Sequence, residues 1–177
     1  MKVKECNYAI HCAGIIIMLT WFAAFAGELS AFSLLWSALL AVFSYIAMVF
    51  DIKTKKIPNM LVLVMTAGWL FLMILSIFID VESGVKSLMD SMYGALTGGG
   101  LFLLVYLISR KGLGGGDVKF MAAAGLYLGF AGTIPAILYG TVIAALTGLT
   151  LVMLKKINRK DTIPLVPFLF IGIIIAA

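Results

Sequence analysis

The sequence predicts an all-α, polytopic membrane bundle of about seven transmembrane helices, and three observations lead there. Of 177 residues, 63% are hydrophobic and only 12% are charged, with a mean hydropathy of +1.16. The 13 basic and 8 acidic residues are gathered into short clusters, whereas a soluble domain spreads about a quarter of its residues as charges over its surface. Between the clusters lie apolar runs near the ~20 residues that a helix needs to cross a bilayer core. A soluble globule is excluded. The net charge of +5 does not point to nucleic acid, because the basic residues sit between apolar runs, where insertion topology accounts for them.

Seven runs follow in order. The first extends from Tyr8 to Ala26 and is read as retained, since no small-residue cleavage pattern follows it. The second covers Leu29 to Phe50, the third Pro58 to Ile79, and the fourth Leu88 to Ser109. After the glycine-rich segment Gly112 to Gly116 comes a short run from Val118 to Ala131, then Gly132 and Pro135, then a run ending at Leu154. This pattern predicts two helices joined by a tight turn. The short helix begins inside the protein, below the headgroups. The last run is Ile163 to Ala177.

Positively charged loops stay on the cytoplasmic side. With the amino terminus inside, Lys2, Lys4, Lys53, Lys55, Lys56, Arg110, Lys111, Lys119, Lys155, Lys156, Arg159 and Lys160 all fall on that side, and only Lys86 lies outside. The outer loops carry Glu28, Asp80, Glu82 and Asp90. The expected protein is therefore a multi-pass plasma-membrane protein with its amino terminus in the cytoplasm and its carboxyl terminus outside. No soluble domain, linker or repeat interrupts it, so residues 1–177 are expected to form one transmembrane domain, and any chemistry occurs at or within the bilayer.

Ionisable groups bordering a membrane core are costly, and they are read first as functional. Asp51 ends the second run and Asp117 opens the fifth, and the topology puts both on the cytoplasmic face. Alone, each feature has an ordinary reading: an aspartate after a span faces water, and a glycine run is a flexible turn. Their conjunction on one face points to chemistry. Two carboxylates that approach closely cannot both ionise, so they share a proton and serve as base and acid. The base would activate a water against a peptide carbonyl, and the acid would polarise that carbonyl and protonate the leaving amine. The glycines beside Asp117 let an extended backbone come close and supply backbone donors.

Other chemistries lack their residues. The glycine run is not followed by Gly-Lys-Ser/Thr, the only histidine is His11, and neither HExxH nor GxSxG occurs. Cys6, His11 and Cys12 cluster, but three ligands without a fourth make a poor zinc site. No metal and no cofactor is expected. A small proton-coupled transporter or channel using the same aspartates stays open as the alternative.

At these residues the sequence resembles the type IV prepilin and preflagellin peptidases, membrane aspartyl proteases with a GxGD motif. Gly114-Gly115-Gly116-Asp117 fills that motif within Gly112 to Lys119, and Asp51 to Asn59 is similar to the family's other aspartate segment. Ile163-Pro164-Leu165-Val166-Pro167-Phe168-Leu169 resembles the Pro-x-x-Pro-Phe stretch that opens its last helix. The resemblance implies that Asp51 and Asp117 are the catalytic pair of an aspartic-type endopeptidase. Its substrate would be the short basic leader of a prepilin-like or preflagellin-like precursor, cut at the cytoplasmic face. It implies motif or substrate-binding support from Gly112, Gly114, Gly115, Gly116, Lys119, Pro58 and Asn59. Residues 28–177 would be the family-like core and 1–27 an additional helix. The family's methyltransferase activity goes with a longer amino-terminal part bearing CxxC pairs that this sequence lacks, so cleavage alone is expected.

The remaining signals have structural readings. Lys53, Lys55, Lys56 and Lys119 suit topology or lipid phosphates. Pro58 and Pro164 suit a helix's first turn, and Asn59 is expected to hydrogen-bond near the site. Gly94, Gly98, Gly125 and Gly129 recur at four-residue spacing and predict close helix packing. The ten methionines read as adaptable apolar filler.

Overall fold

A computed structural model describes residues 2–25, 31–109, 113–155 and 163–177, with side chains from residue 12 to 23 in the first of these and from 32 onward in the second. Gly112, Glu28, Arg110, Lys111, Lys156, Arg159 and Lys160 lie outside the described residues, as do the side chains of Lys2, Lys4, Cys6 and His11. The elements are all helical: α1 (Lys2–Phe25), α2 (Ala31–Thr54), α3 (Asn59–Ile79), α4 (Val81–Ser109), α5 (Gly115–Met153) and α6 (Val166–Ala176). Four helical stretches, Phe32–Thr54, Asn59–Ile79, Val81–Ser109 and Gly115–Met153, are long and apolar enough to cross a membrane. Cys12–Ala23 and Val166–Ala176 are shorter apolar stretches.

The hydrogen-bond pattern runs α5 together as 39 residues, but Gly129 inside it has φ 65 and ψ −175. The chain reverses there. A straight helix would hold Met121 and Thr133 roughly 18 Å apart, yet a Cβ on Gly98 would lie 2.5 Å from the Met121 carbonyl oxygen and 3.2 Å from Thr133 Cγ2. Residues 115–128 and 130–153 are thus antiparallel, and α1 to α6 contain seven helical segments. The tight turn is as the sequence suggested, but it sits at Gly129, not at Gly132 and Pro135. Pro135 lies inside the returning helix. Glycine is needed at the turn on two counts: its φ is left-handed, and a Cβ would collide with the Asp90 carboxylate.

Asp90 corrects a second expectation. It belongs to α4, within the run predicted from Leu88, and not to an outer loop, and Glu82 joins it there because α4 already begins at Val81. The Glu82 N–H donates to Asp80 Oδ1 at 3.1 Å and starts that helix. From within α4, Asp90 Oδ1 accepts the Phe130 N–H at 3.1 Å, capping the returning half of α5 from another helix.

The glycine spacing does what was expected of it. Gly94 packs against the carbonyl of Gly125 so closely that a Cβ on either would meet the other's backbone. α6 crosses the returning half of α5 in the same manner at Gly140 and Gly172, a pair with no spacing signal. Phe120, Met121, Leu169, Phe170 and Ile173 fill the buried centre with Met65, Leu72 and Met73 of α3. Phe78, Ile79, Leu96 and Ile108 stay exposed, as expected of helices whose outer faces meet lipid.

Candidate active site

Asp51 occupies the last turn of α2 and is buried, 5% exposed. Its Oδ2 accepts the Val166 N–H at 3.0 Å, joining the end of α2 to the first residue of α6. α2 stops because Lys55 turns left-handed (φ 51) and donates its N–H to the Asp51 carbonyl at 2.8 Å. The Thr54 hydroxyl holds the corner by donating to the Phe50 and Lys56 carbonyls. Ile57 then buries itself, and Pro58, with φ −63 and ψ 133, sits just before α3 as its cap. Pro58 therefore lies one residue outside the helix turn predicted for it. Likewise Pro164 precedes α6, and Pro167 takes the first turn.

Asp117 is the third residue of α5. Its Oδ2 accepts the Gly114 N–H at 3.1 Å, and its own N–H donates to the Gly114 carbonyl at 3.1 Å. Two of the unsatisfied groups at this helix start are paired in that way. The glycines differ in their surroundings. A Cβ on Gly116 would lie 3.2 Å from Ile57 Cβ and 3.4 Å from the Ile57 nitrogen, so α5 starts against the turn after α2. A Cβ on Gly115 would meet nothing within 4 Å.

These contacts gather the starts of α3, α5 and α6 around the end of α2. Lys119 Nζ donates to Asn59 Oδ1 at 3.0 Å, a polar tie between α5 and α3; a hydrogen bond was expected of Asn59, but not its partner. A half-open apolar cavity of about 210 Å³ is lined by Phe102, Val105, Ile137 and Thr141 and by Leu113 and Leu165, which precede the Gly114 turn and Val166. Among the described residues no group of His, Cys, Asp or Glu gathers as metal ligands would, and Cys12 is exposed.

Val166 was not singled out as the partner of Asp51. It contributes a backbone N–H, and residue type carries no signal for that. The proline pattern around it marked the segment without marking the bond.

The fold and this site define a class: a multi-pass helical membrane protein with two carboxylates gathered at one end of its bundle. The sequence model of the type IV leader peptidase family matches residues 38–149, and the chain belongs to that family. It is 31% identical over 173 residues to the prepilin leader peptidase/N-methyltransferase of Escherichia coli (strain K12), covering 93% of this chain and 72% of that protein. It is 30% identical over 142 residues to the protein so named from Aeromonas hydrophila, covering 77% of this chain and 47% of the relative. The Bacillus subtilis (strain 168) protein of that name is 35% identical over 92 residues, covering 50% of this chain and 37% of the relative. The chain thus spans less than half the length of the last two. No solved structure matches it.

Proposed function

We propose that this chain is an aspartic-type membrane endopeptidase that removes the short basic leader of prepilin-like or preflagellin-like precursors at the cytoplasmic face. The observation that carries the reading is that Asp51 and Asp117, 66 positions apart in sequence, stand at one end of the bundle, Asp51 bonded to the start of α6 and Asp117 on the turn of α5 that packs against Ile57.

The pair holds one proton between its carboxylates. The unprotonated carboxylate takes a proton from water as the water oxygen bonds to the scissile carbonyl carbon. The protonated one hydrogen-bonds the carbonyl oxygen. The tetrahedral intermediate then collapses: the C–N bond breaks, and the departing nitrogen takes a proton from the pair. Open space at Gly115 supports close approach of an extended substrate backbone. The cavity between Leu113 and Leu165 supports an apolar side chain beside the scissile bond.

Exposed Lys53, Lys55, Lys56, Lys119 and Lys155 surround the carboxylate end, while Asp80 and Glu82 mark the other, which supports a cytoplasmic site. We take residues 28–177 as the peptidase core and 1–27 as an added helix. α1 meets the rest mainly at α2, where Gly14 packs against Tyr45 and Met48. The proposal is confined to cleavage. A proton-coupled transporter is the weaker reading, since both carboxylates share one end of the bundle and do not mark a path across it.

The test is mass spectrometry of a leader-bearing prepilin incubated with the wild-type chain and with Asp51→Asn and Asp117→Asn. Cleavage by the wild type and none by either variant, with all three in the membrane fraction, is the expected result. Retained processing in either variant rejects the mechanism.

A further inference from the structure

An open groove of about 420 Å³ runs down the outside of α3, with Lys119 of α5 at its head. Its floor is a stripe at positions 59, 62, 63, 66, 67 and 70, the spacing of one helix face. From Asn59 to Leu70 the stripe descends roughly 16 Å, about one leaflet of a ~30 Å hydrocarbon core. Below Asn59 it is apolar in effect. Thr66 is the one polar residue there, and its hydroxyl donates to the Val62 carbonyl of its own helix at 2.9 Å.

The head of the groove is built differently. Lys119 carries three N–H donors, and the acceptor given to them is the neutral Asn59 Oδ1 at 3.0 Å. Among the described residues no carboxylate stands within ion-pair distance of Lys119. Asp117, two residues earlier on α5, points to a different side of that helix. The Asn59 amide holds the ammonium at the mouth and adds N–H donors beside it.

We propose that this groove is a binding site for one anionic phospholipid, with its phosphate on Lys119 and Asn59 and an acyl chain along Val62, Leu63, Thr66, Ala67 and Leu70. Two features select that occupant. α3 is a membrane-spanning helix, so the medium beside the stripe is lipid, and the stripe's depth is that of one leaflet. The cation at its head, with exposed Lys53, Lys55 and Lys56 at the same end, favours a negative headgroup. A substrate stem is the rival occupant, and its competition for the groove is one outcome of the test below. The site does not depend on the proposed peptidase activity.

The full chain in neutral detergent is titrated with phosphatidylglycerol, and bound lipid is counted by native mass spectrometry. Phosphatidylcholine, glycerophosphoglycerol and inorganic phosphate form the comparison arms. The wild type should retain one phosphatidylglycerol in preference to phosphatidylcholine. Glycerophosphoglycerol and inorganic phosphate should not displace it, because the chain in the groove contributes to binding. Lys119→Gln should weaken retention about fivefold, the effect of one basic residue at a membrane surface. Lys119→Arg should restore it, and Lys86→Gln at the opposite end should leave it unchanged. Ala67→Leu, which narrows the groove, should weaken it at unchanged charge. Equal retention in wild type and Lys119→Gln overturns the proposal. So does equal displacement by the headgroup compounds, or competition by a basic prepilin stem peptide, which would make the groove a substrate seat.

Discussion

The carboxylate of Asp51 accepts the backbone N–H of Val166 across 115 residues of sequence, at 3.0 Å. One side chain therefore stands both in the proposed catalytic pair and in the junction of α2 with α6, and these roles separate by substitution. Asp51→Asn keeps an acceptor for Val166 and should unfold near the wild-type temperature while losing cleavage. Asp51→Ala leaves a buried N–H unpaired and should cost about 1–3 kcal/mol. Thermal unfolding in detergent, followed by tryptophan fluorescence, checks it: equal stability of the two variants would remove the junction role.

The glycines before Asp117 make a second contrast. Gly115→Ala adds a methyl group into open space and should leave stability unchanged, so any loss of cleavage reports a backbone brought close to it. Gly116→Ala pushes on Ile57 and should lower both stability and activity. Cleavage rates and melting temperatures of the two variants, measured together, decide. Full activity in Gly115→Ala would show that substrate does not use that space.

Packing of α4 on α5 can be tested at a matched pair in one helix. Gly94→Ala drives a Cβ into the Gly125 and Gly129 backbone and should destabilise by about 1–3 kcal/mol. Gly100→Ala meets nothing within 4 Å and, by helix propensity, should be neutral or stabilising by up to about 1 kcal/mol. The same melting assay reads both, and a harmless Gly94→Ala would contradict the close crossing.

Asp90 caps a helix that is not its own. Asp90→Ala should cost about 1 kcal/mol through the orphaned Phe130 N–H, and Asp90→Asn should recover most of it, since an amide oxygen also accepts. Hydrogen exchange at residues 130–133 gives the local readout. Equal protection there in wild type and Asp90→Ala would mean that the cap does not hold the turn.

Much of this molecule is legible without coordinates, for physical reasons. Lipid forces every backbone group to pair within its own segment, so apolar run length and charged punctuation delimit helices, and the resemblance at Asp51 and at Gly114–Asp117 marked two segments that the fold brings to one end of the bundle. The sequence alone also foresaw close helix packing at Gly94, Gly98 and Gly125, because helical spacing is a local property, but not which glycine meets which. Three things were decided only by the tertiary structure. The reversal falls at Gly129 and not near Pro135, since a left-handed residue must stand where the Asp90 carboxylate reaches in from another helix. Asp51 is held by Val166, a backbone donor whose partner depends on where α6 docks. Gly115 faces open space and Gly116 faces Ile57, a distinction between identical neighbours that exists only once α5 lies against the turn following α2.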